Sequence, residues 1–328
     1  MNDIIMAQAE SVVIPTVYSW GIDIIKAIQS IQSPFFTSLM KFISSIGNET
    51  FYIIIIMVLY WCWNEKKGFL LGLLVIISAW INSFLKIVFD HPRPYEFDPA
   101  VGLAFEPTRG FPSGHAQNSM TFWIALAFIL SFSLVKRKNL QPLIWGFSSL
   151  IVLLIGFSRL YLGVHFPTDV LFGWLASLII LTAFYFMEKP ASLFFARKGK
   201  RPQRICTAAA ALFMNMLLPQ DTSLAGLLLG LCIGYSLMIN SFPFSARGEV
   251  NGKSPGLHTL VLRAVLGVIG ALLIFLGLRL LIPGEASIFG SIDFLEPYYE
   301  LGRFLRYGLL GFWASAGAVR LFQKTGLA

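Results

Sequence analysis

Two histidines and one aspartate stand at the starts of apolar segments in this 328-residue chain. His115 opens one apolar segment, and His165 is followed four residues later by Asp169 near the start of another. Four residues correspond to about one helical turn, so the carboxylate can fix the tautomer of the imidazole. The other nitrogen of His165 is then a free nucleophile, while His115 can protonate a leaving alkoxide and later activate water.

Three cations are expected near these groups, because Lys86 and Arg159 close apolar segments and Arg93 follows Lys86 by seven residues. Charges in membrane segments are costly and usually mark a site. Arginine forks match tetrahedral oxyanions, and lysine adds a point charge. Ser113 and Gly114 begin a helix, whose free N–H groups favour an anion. We interpret this set as a phosphate cradle for covalent phosphoryl transfer without a metal or other cofactor.

The remaining polar residues of these loops have two interpretations each. Glu106 and Arg109 either pair with each other or line a substrate headgroup pocket, where Arg109 would add a phosphate contact. Gln117 is a candidate for facing the site, where it would contact the headgroup, and Asn82 either orients the lysine one turn later or packs between helices. His91 is interpreted as an ordinary loop histidine in preference to a third catalytic group.

The elements that must position these residues are membrane helices. Hydrophobic residues make up 56% of the chain and charged residues only 13%, against roughly 25% charged in soluble domains. A mean hydropathy of +0.72 and continuous apolar runs predict an all-α, polytopic integral membrane bundle rather than a barrel. Nine spans are predicted, at about 45–63, 68–89, 115–134, 141–157, 166–187, 206–219, 222–241, 258–282 and 303–323.

The chain divides into four parts by composition. Residues 1–35 contain an amphipathic stretch at 17–33, predicted as an interfacial helix with a tilted span as the alternative. Residues 36–190 form a catalytic transmembrane core, 191–205 a basic cytoplasmic linker, and 206–328 a C-terminal transmembrane bundle.

Charge bias predicts the orientation of the spans. Basic clusters at 66–67, 136–138 and 197–204 fall in alternate loops, which the positive-inside rule places in the cytoplasm. The loops 90–114 and 158–165 then share the extracytoplasmic face, together with the N-terminus, for which no cleaved signal peptide is expected. The net charge of +8 is explained by these loops, so nucleic acid is not an expected partner.

The pattern K-x6-R-P, then P-S-G-H, then S-R-x5-H-x3-D resembles the three-part signature of the type 2 phosphatidic acid phosphatase superfamily. That family includes lipid phosphate phosphatases, glucose-6-phosphatase and vanadium haloperoxidases. The resemblance implies a six-helix core, with 17–33 as the first helix, and a phosphohistidine at His165 that Asp169 orients. It implies His115 as the general acid–base, and a phosphate site formed by Lys86, Arg93, Ser113, Gly114 and Arg159.

Gly47-Asn48-Glu49 and the long C-terminal spans further resemble the sphingosine-1-phosphate phosphatase branch and its bacterial relatives. The first substrate expectation is therefore a sphingoid-base or similar single-chain lipid phosphate, taken from the bilayer. The alternatives are a polyprenyl diphosphate, phosphatidate or phosphatidylglycerol phosphate, and a phosphotransferase using the same residues. A lipid-phosphate-binding or transport protein without turnover is the alternative from another class.

The C-terminal bundle carries no recognisable chemistry. Gly226, Gly230 and Gly234 recur every four residues, which predicts close helix packing, with homodimerisation as the alternative. Stabilising the core and flanking a lipid entry path are further roles that the sequence leaves open.

Overall fold

The computed structural model describes residues 16–133, 138–248, 254–281 and 298–328, and these ranges are helical without a β-strand. The expectations for residues 1–15 and for part of the basic cluster at 136–138 lie outside the described residues. So does most of the loop 283–302, whose four acidic residues predict an extracytoplasmic position. The helices are α1 (Thr16–Gln29), α2 (Pro34–Ser45), α3 (Glu49–Cys62), α4 (Glu65–Phe89), α5 (Pro94–Phe97), α6 (Gly114–Ser133), α7 (Gln141–Tyr161), α8 (Pro167–Lys198), α9 (Lys200–Leu217), α10 (Ser223–Ser241), α11 (Leu257–Leu281), α12 (Tyr299–Phe312) and α13 (Ala318–Lys324).

Local signals set several of these boundaries. Ser33 accepts a hydrogen bond from the Phe36 amide at 3.2 Å, and Pro34 occupies the first position of α2. Asn64 caps α4 by accepting from the Lys67 amide at 2.8 Å. The same helix ends where Asp90 adopts a left-handed conformation with φ of 45°.

Five described helical segments are long and apolar enough to cross a membrane, and the α2–α3 pair, bent by 47°, would form a sixth. The five are Glu65–Phe97, Gln141–Tyr161, Pro167–Lys198, Ser223–Ser241 and Leu257–Leu281. The prediction of a polytopic helical membrane bundle is therefore confirmed, but the count falls short of nine. The predicted spans around α3, α6, α9 and α12 all form helices, and α6 begins with the polar stretch GHAQNS, which lowers its hydropathy.

Helix α1 forms within the predicted amphipathic stretch and is only 14 residues long. Its buried Ile22 and Ile25 pack on Val101 and Phe166, which belong to the loops around the predicted site. Gln29 extends this contact by donating to the Val101 carbonyl at 2.8 Å. Helix α1 thus closes over the loops, and its place relative to the membrane interface stays a prediction.

The region predicted as a basic linker, 191–205, is helical on both sides of Gly199, which has a positive φ of 83°. Helix α8 continues to Lys198 and α9 starts at Lys200, so the two transmembrane parts are joined by a helix break rather than by an extended segment. The division of the chain at 190 and 206 stays a prediction.

The glycine stripe of α10 is covered within the chain by α12. A Cβ atom at Gly230 would lie 1.9 Å from the Gly308 carbonyl oxygen, and one at Gly226 would lie 2.3 Å from the Phe304 carbonyl oxygen. The close packing predicted for this stripe is therefore observed inside one chain. A homodimer through the C-terminal spans would need a different surface, and it stays a prediction.

Candidate active site

The pair His165 and Asp169 lies where α8 begins, and both side chains are almost completely buried. The His165 Nδ1 atom is 3.3 Å from Asp169 Oδ2. The same carboxylate oxygen accepts from the Phe166 amide at 2.9 Å, because the carboxylate folds back over the first turn of its own helix. The carboxylate is thus fixed by backbone and directs the opposite nitrogen of His165, Nε2, away from it.

Arg93 is the residue that faces this second nitrogen. Its Nη1 atom lies 3.4 Å from His165 Nε2 and donates to the Val164 carbonyl at 2.8 Å. Its Nε donates to the Thr108 carbonyl at 2.6 Å, and the side chain is only 2% exposed. These backbone bonds hold the guanidinium in a fixed position against the imidazole.

Two further cations lie at the same end of the bundle. Arg159, also 2% exposed, donates to the Glu106 carboxylate and to the Ser44 hydroxyl. Lys86 donates to the Arg109 carbonyl. The expectation that Glu106 and Arg109 pair with each other was wrong, because Glu106 binds Arg159 while the Arg109 Nε atom lies 2.5 Å from Asp90 Oδ1.

Ser113 and Gly114 connect the start of α6 to these groups. The buried Ser113 donates its amide to the Asp169 carbonyl at 2.9 Å, and its hydroxyl accepts from the Ala116 amide at 3.4 Å. A Cβ atom on Gly114 would lie 2.8 Å from Asn82 Oδ1, so this position requires the close approach of a glycine.

Burial lowers the pKa of His165 well below the ordinary histidine value, and the neighbouring cations Arg93, Lys86 and Arg159 lower it further. The imidazole is therefore neutral at neutral pH, the form that has a lone pair for nucleophilic attack. Among the residues that the structure describes, no three His, Cys, Asp or Glu side chains are grouped in a way that could hold a metal ion.

His115, the first-turn histidine of α6, contacts a residue that the sequence left without a chemical role. Its Nε2 atom lies 2.9 Å from Asn48 Oδ1. Asn48 precedes α3 and is 67 positions away in sequence, so only tertiary structure reveals the pair. In the sequence, Asn48 belongs to the Gly47-Asn48-Glu49 stretch that resembles the sphingosine-1-phosphate phosphatase branch, and this resemblance assigns it no partner.

Gln117 and Asn82 use their amides for packing. Gln117 is fully buried, donates to the Ser78 carbonyl at 2.8 Å and accepts from Asn82 Nδ2 at 3.0 Å. Asn82 also donates to the Pro112 carbonyl at 3.3 Å. These bonds join α4 to α6 next to the candidate site, so both side chains are used in helix packing, and the structure lends no support to a headgroup contact by Gln117.

His91, predicted to be an ordinary loop histidine, lies beside the Asp169 carboxylate. Its Nδ1 atom is 4.0 Å from Asp169 Oδ1, and both atoms are buried without a hydrogen-bond partner among the described residues. Its ring contacts Tyr18 edge-on at a centroid distance of 5.2 Å and also approaches Phe111 and Phe166. His91 thus belongs to the wall around the Asp169 carboxylate.

Comparison with known proteins identifies two matching family profiles. A profile of the PAP2 superfamily matches residues 67–192, and a profile of a PAP2 superfamily phosphatase transmembrane extension matches residues 222–328. The first match contains all three sequence blocks, and the second contains α10 to α13.

Three curated relatives illustrate the range of the family. Phosphatidylglycerophosphatase B of Bacillus subtilis is 30% identical over 159 residues, which cover 47% of this chain and 76% of that protein. Undecaprenyl-diphosphatase of Sulfolobus acidocaldarius is 29% identical over 160 residues, which cover 48% of this chain and 72% of that protein. A probable sphingosine-1-phosphate phosphatase of Dictyostelium discoideum is 29% identical over 52% of this chain but only 44% of its own length.

This chain belongs to the PAP2 superfamily. It is a multi-pass membrane phosphatase whose helical core is followed by a transmembrane extension. The resemblance drawn from the three sequence blocks is therefore confirmed at the level of the family.

Proposed function

We propose that the protein hydrolyses a lipid phosphate monoester through a phosphohistidine at His165, without a metal ion. The observation that carries this proposal is the arrangement around one imidazole. Asp169 approaches Nδ1 at 3.3 Å, while Arg93 lies 3.4 Å from Nε2. The Asp169 carboxylate orients the imidazole from one side, and the Arg93 cation lies on the side where a phosphoryl group would be attacked.

The reaction has two steps. In the first, the lone pair of His165 Nε2 forms a bond to phosphorus as the bond between phosphorus and the ester oxygen breaks, and His115 gives that oxygen a proton. In the second, His115 takes a proton from water, whose oxygen attacks phosphorus and breaks the P–N bond to release inorganic phosphate. The phosphate oxygens are held by Lys86, Arg93, Arg159 and the start of α6 at Ser113 and Gly114.

The substrate we favour is a sphingoid-base or similar single-chain lipid phosphate, entering laterally with its tail in lipid. The similarity to a probable sphingosine-1-phosphate phosphatase supports this choice, and the relatives named for phosphatidylglycerophosphate and undecaprenyl diphosphate supply the alternatives. We place the site on the extracytoplasmic face, because the basic clusters at 66–67 and 197–204 lie at the opposite ends of helices α4 and α8.

The test is inorganic phosphate release by the purified protein in detergent with EDTA present. The panel contains sphingosine-1-phosphate, phosphatidate, lysophosphatidate, phosphatidylglycerol phosphate and undecaprenyl diphosphate. We expect release that tolerates EDTA, is highest for a single-chain phosphate and is lost in His165→Ala. The matched control is His258→Ala, which changes an exposed histidine at the start of α11 and should leave release unchanged.

Four outcomes would overturn parts of this proposal. Release that persists in His165→Ala would exclude the phosphohistidine. Release abolished by EDTA and restored by a divalent cation would exclude the metal-independent reaction. Binding of lipid phosphates without any turnover would favour a binding or transport protein, while appearance of the phosphoryl group on an added alcohol in preference to water would favour a transferase.

A further inference from the structure

Asn48 occupies the position of a helix cap but does not cap its helix. It immediately precedes α3 with extended backbone angles, yet its side chain makes no hydrogen bond to the first turn. An asparagine at this position ordinarily accepts from the second or third helical amide. Here its Oδ1 atom lies 2.9 Å from His115 Nε2 instead.

The residues on either side of Asn48 also contact the start of α6. A Cβ atom on Gly47 would lie 3.0 Å from His115 Cδ2, so the absence of a side chain lets the backbone approach the imidazole. Glu49 Oε1 accepts from Asn118 Nδ2 at 3.5 Å, one helical turn beyond His115. The segment 47–49 therefore packs along one face of α6.

The bend between α2 and α3 makes this contact feasible. The two helices meet at 47°, and residues 46–48 form the break between them. In an unbroken helix, Asn48 would be an ordinary residue in the middle of a span, with its side chain pointing away from the helix axis. The break turns the chain so that Asn48 stands at the N-terminal end of a new helix, beside the imidazole.

From this geometry we propose that Asn48 is a positioning residue for His115. Its amide oxygen accepts the Nε2 proton, which fixes the tautomer and ring orientation and leaves Nδ1 to exchange a proton with the reacting oxygen. This inference rests on the proposed function, because it assigns a role to Asn48 only if His115 is the general acid–base.

The experiment compares steady-state kinetics of Asn48→Ala and wild type on the best substrate of the panel. We expect kcat to fall about tenfold or more, with KM within about threefold, because a misoriented acid slows the chemical step and leaves phosphate binding intact. In a His115→Ala background, Asn48→Ala should have no additional effect on kcat.

Asn48→Asp provides the conservative rescue. It keeps an acceptor oxygen, so most of kcat should return, and the added negative charge should move the pH–rate profile toward higher pH. The other charged groups that act on His115, namely Arg159, Lys86 and Arg93, are unchanged in this variant, as is the neighbouring Glu49.

Asn64 is the matched control, because it is an asparagine before the next helix that does cap, at 2.8 Å from the Lys67 amide. Asn64→Ala should lower Tm by roughly 2–4 °C and leave kcat unchanged. Asn48→Ala should instead lower kcat and leave Tm unchanged. A normal kcat in Asn48→Ala, or an equal loss of kcat in the His115→Ala background, would overturn the inference. Lack of phosphate release by the wild type would instead count against the proposed function.

Discussion

Arg159 and Arg263 are both almost completely buried, one in each half of the chain, and they are held in different ways. Arg159 at the end of α7 contacts two side chains, the Glu106 carboxylate and the Ser44 hydroxyl. Among the described residues, the partners of Arg263 in α11 are backbone carbonyls, those of Leu327 at 2.7 Å, Ala246 at 2.7 Å and Trp61 at 3.2 Å.

The difference separates a charge that is available to a ligand from one that is not. Side-chain partners such as Glu106 can rotate away when a phosphate enters, and Glu106 is itself partly exposed. Backbone carbonyls cannot leave, and Arg263 also stacks on Phe244 with its guanidinium carbon 5.1 Å from the ring centroid. The side-chain partners of Arg159 can therefore release it to a ligand, whereas the partners of Arg263 cannot. Arg263 instead ties the chain end and the 242–248 loop to α3.

The largest expected effect is that of replacing His165, the proposed nucleophile. His165→Asn should reduce phosphate release by about 10³-fold or more, because no covalent intermediate can form. The same variant should lose radiolabelling by a ³²P-substrate under alkaline quench, conditions that preserve phosphohistidine. His258→Asn in the C-terminal half should keep both signals. Label retained in His165→Asn would move the intermediate to another residue.

Exchange of the buried arginine in the catalytic half should come next. Arg159→Lys keeps the charge but loses the planar fork, so we expect kcat/KM to fall about 100-fold while Tm changes little. Inhibition by inorganic phosphate or vanadate should weaken in parallel, which a competition assay measures. Unchanged inhibition with a lowered kcat/KM would show that Arg159 acts away from the phosphate.

The corresponding exchange in the C-terminal half should have the opposite profile. Arg263→Met leaves the Leu327, Ala246 and Trp61 carbonyls without their donor, which costs about 2–3 kcal/mol of stability. We expect Tm in detergent to fall by roughly 5 °C or more, with kcat per folded molecule unchanged. A normal Tm combined with low kcat would assign the C-terminal bundle a direct part in the reaction.

Contacts around the candidate site differ in how far the sequence could predict them. His165 and Asp169 share one helical turn, so their contact follows from spacing alone, and the helical membrane fold follows from long apolar runs. The contacts of Asn48 with His115 and of His91 with Asp169 join segments far apart in sequence, and only packing brings them together. Glu106 and Arg109 show the converse error, since nearness in sequence suggested a pair, while each has a stronger non-local partner.

The smallest expected effect concerns the acid side of the pH profile. Because burial and the surrounding cations lower the pKa of His165, the imidazole stays neutral as pH falls through the ordinary histidine range. Phosphate release should therefore persist below pH 6.5 and be lost only at more acidic pH, when the nucleophile finally takes up a proton.

The variant Arg93→Gln distinguishes the titration of His165 from the titration of the substrate phosphate in this pH profile. Removing the neighbouring cation should raise the pKa of His165 and move the acid limb toward higher pH, in addition to lowering the rate. The substrate phosphate titrates identically with both enzymes, so the displacement between the two normalised profiles reports on the enzyme alone. Coincident acid limbs would show that Arg93 does not act on His165, and the cation next to Nε2 would then serve only to bind phosphate.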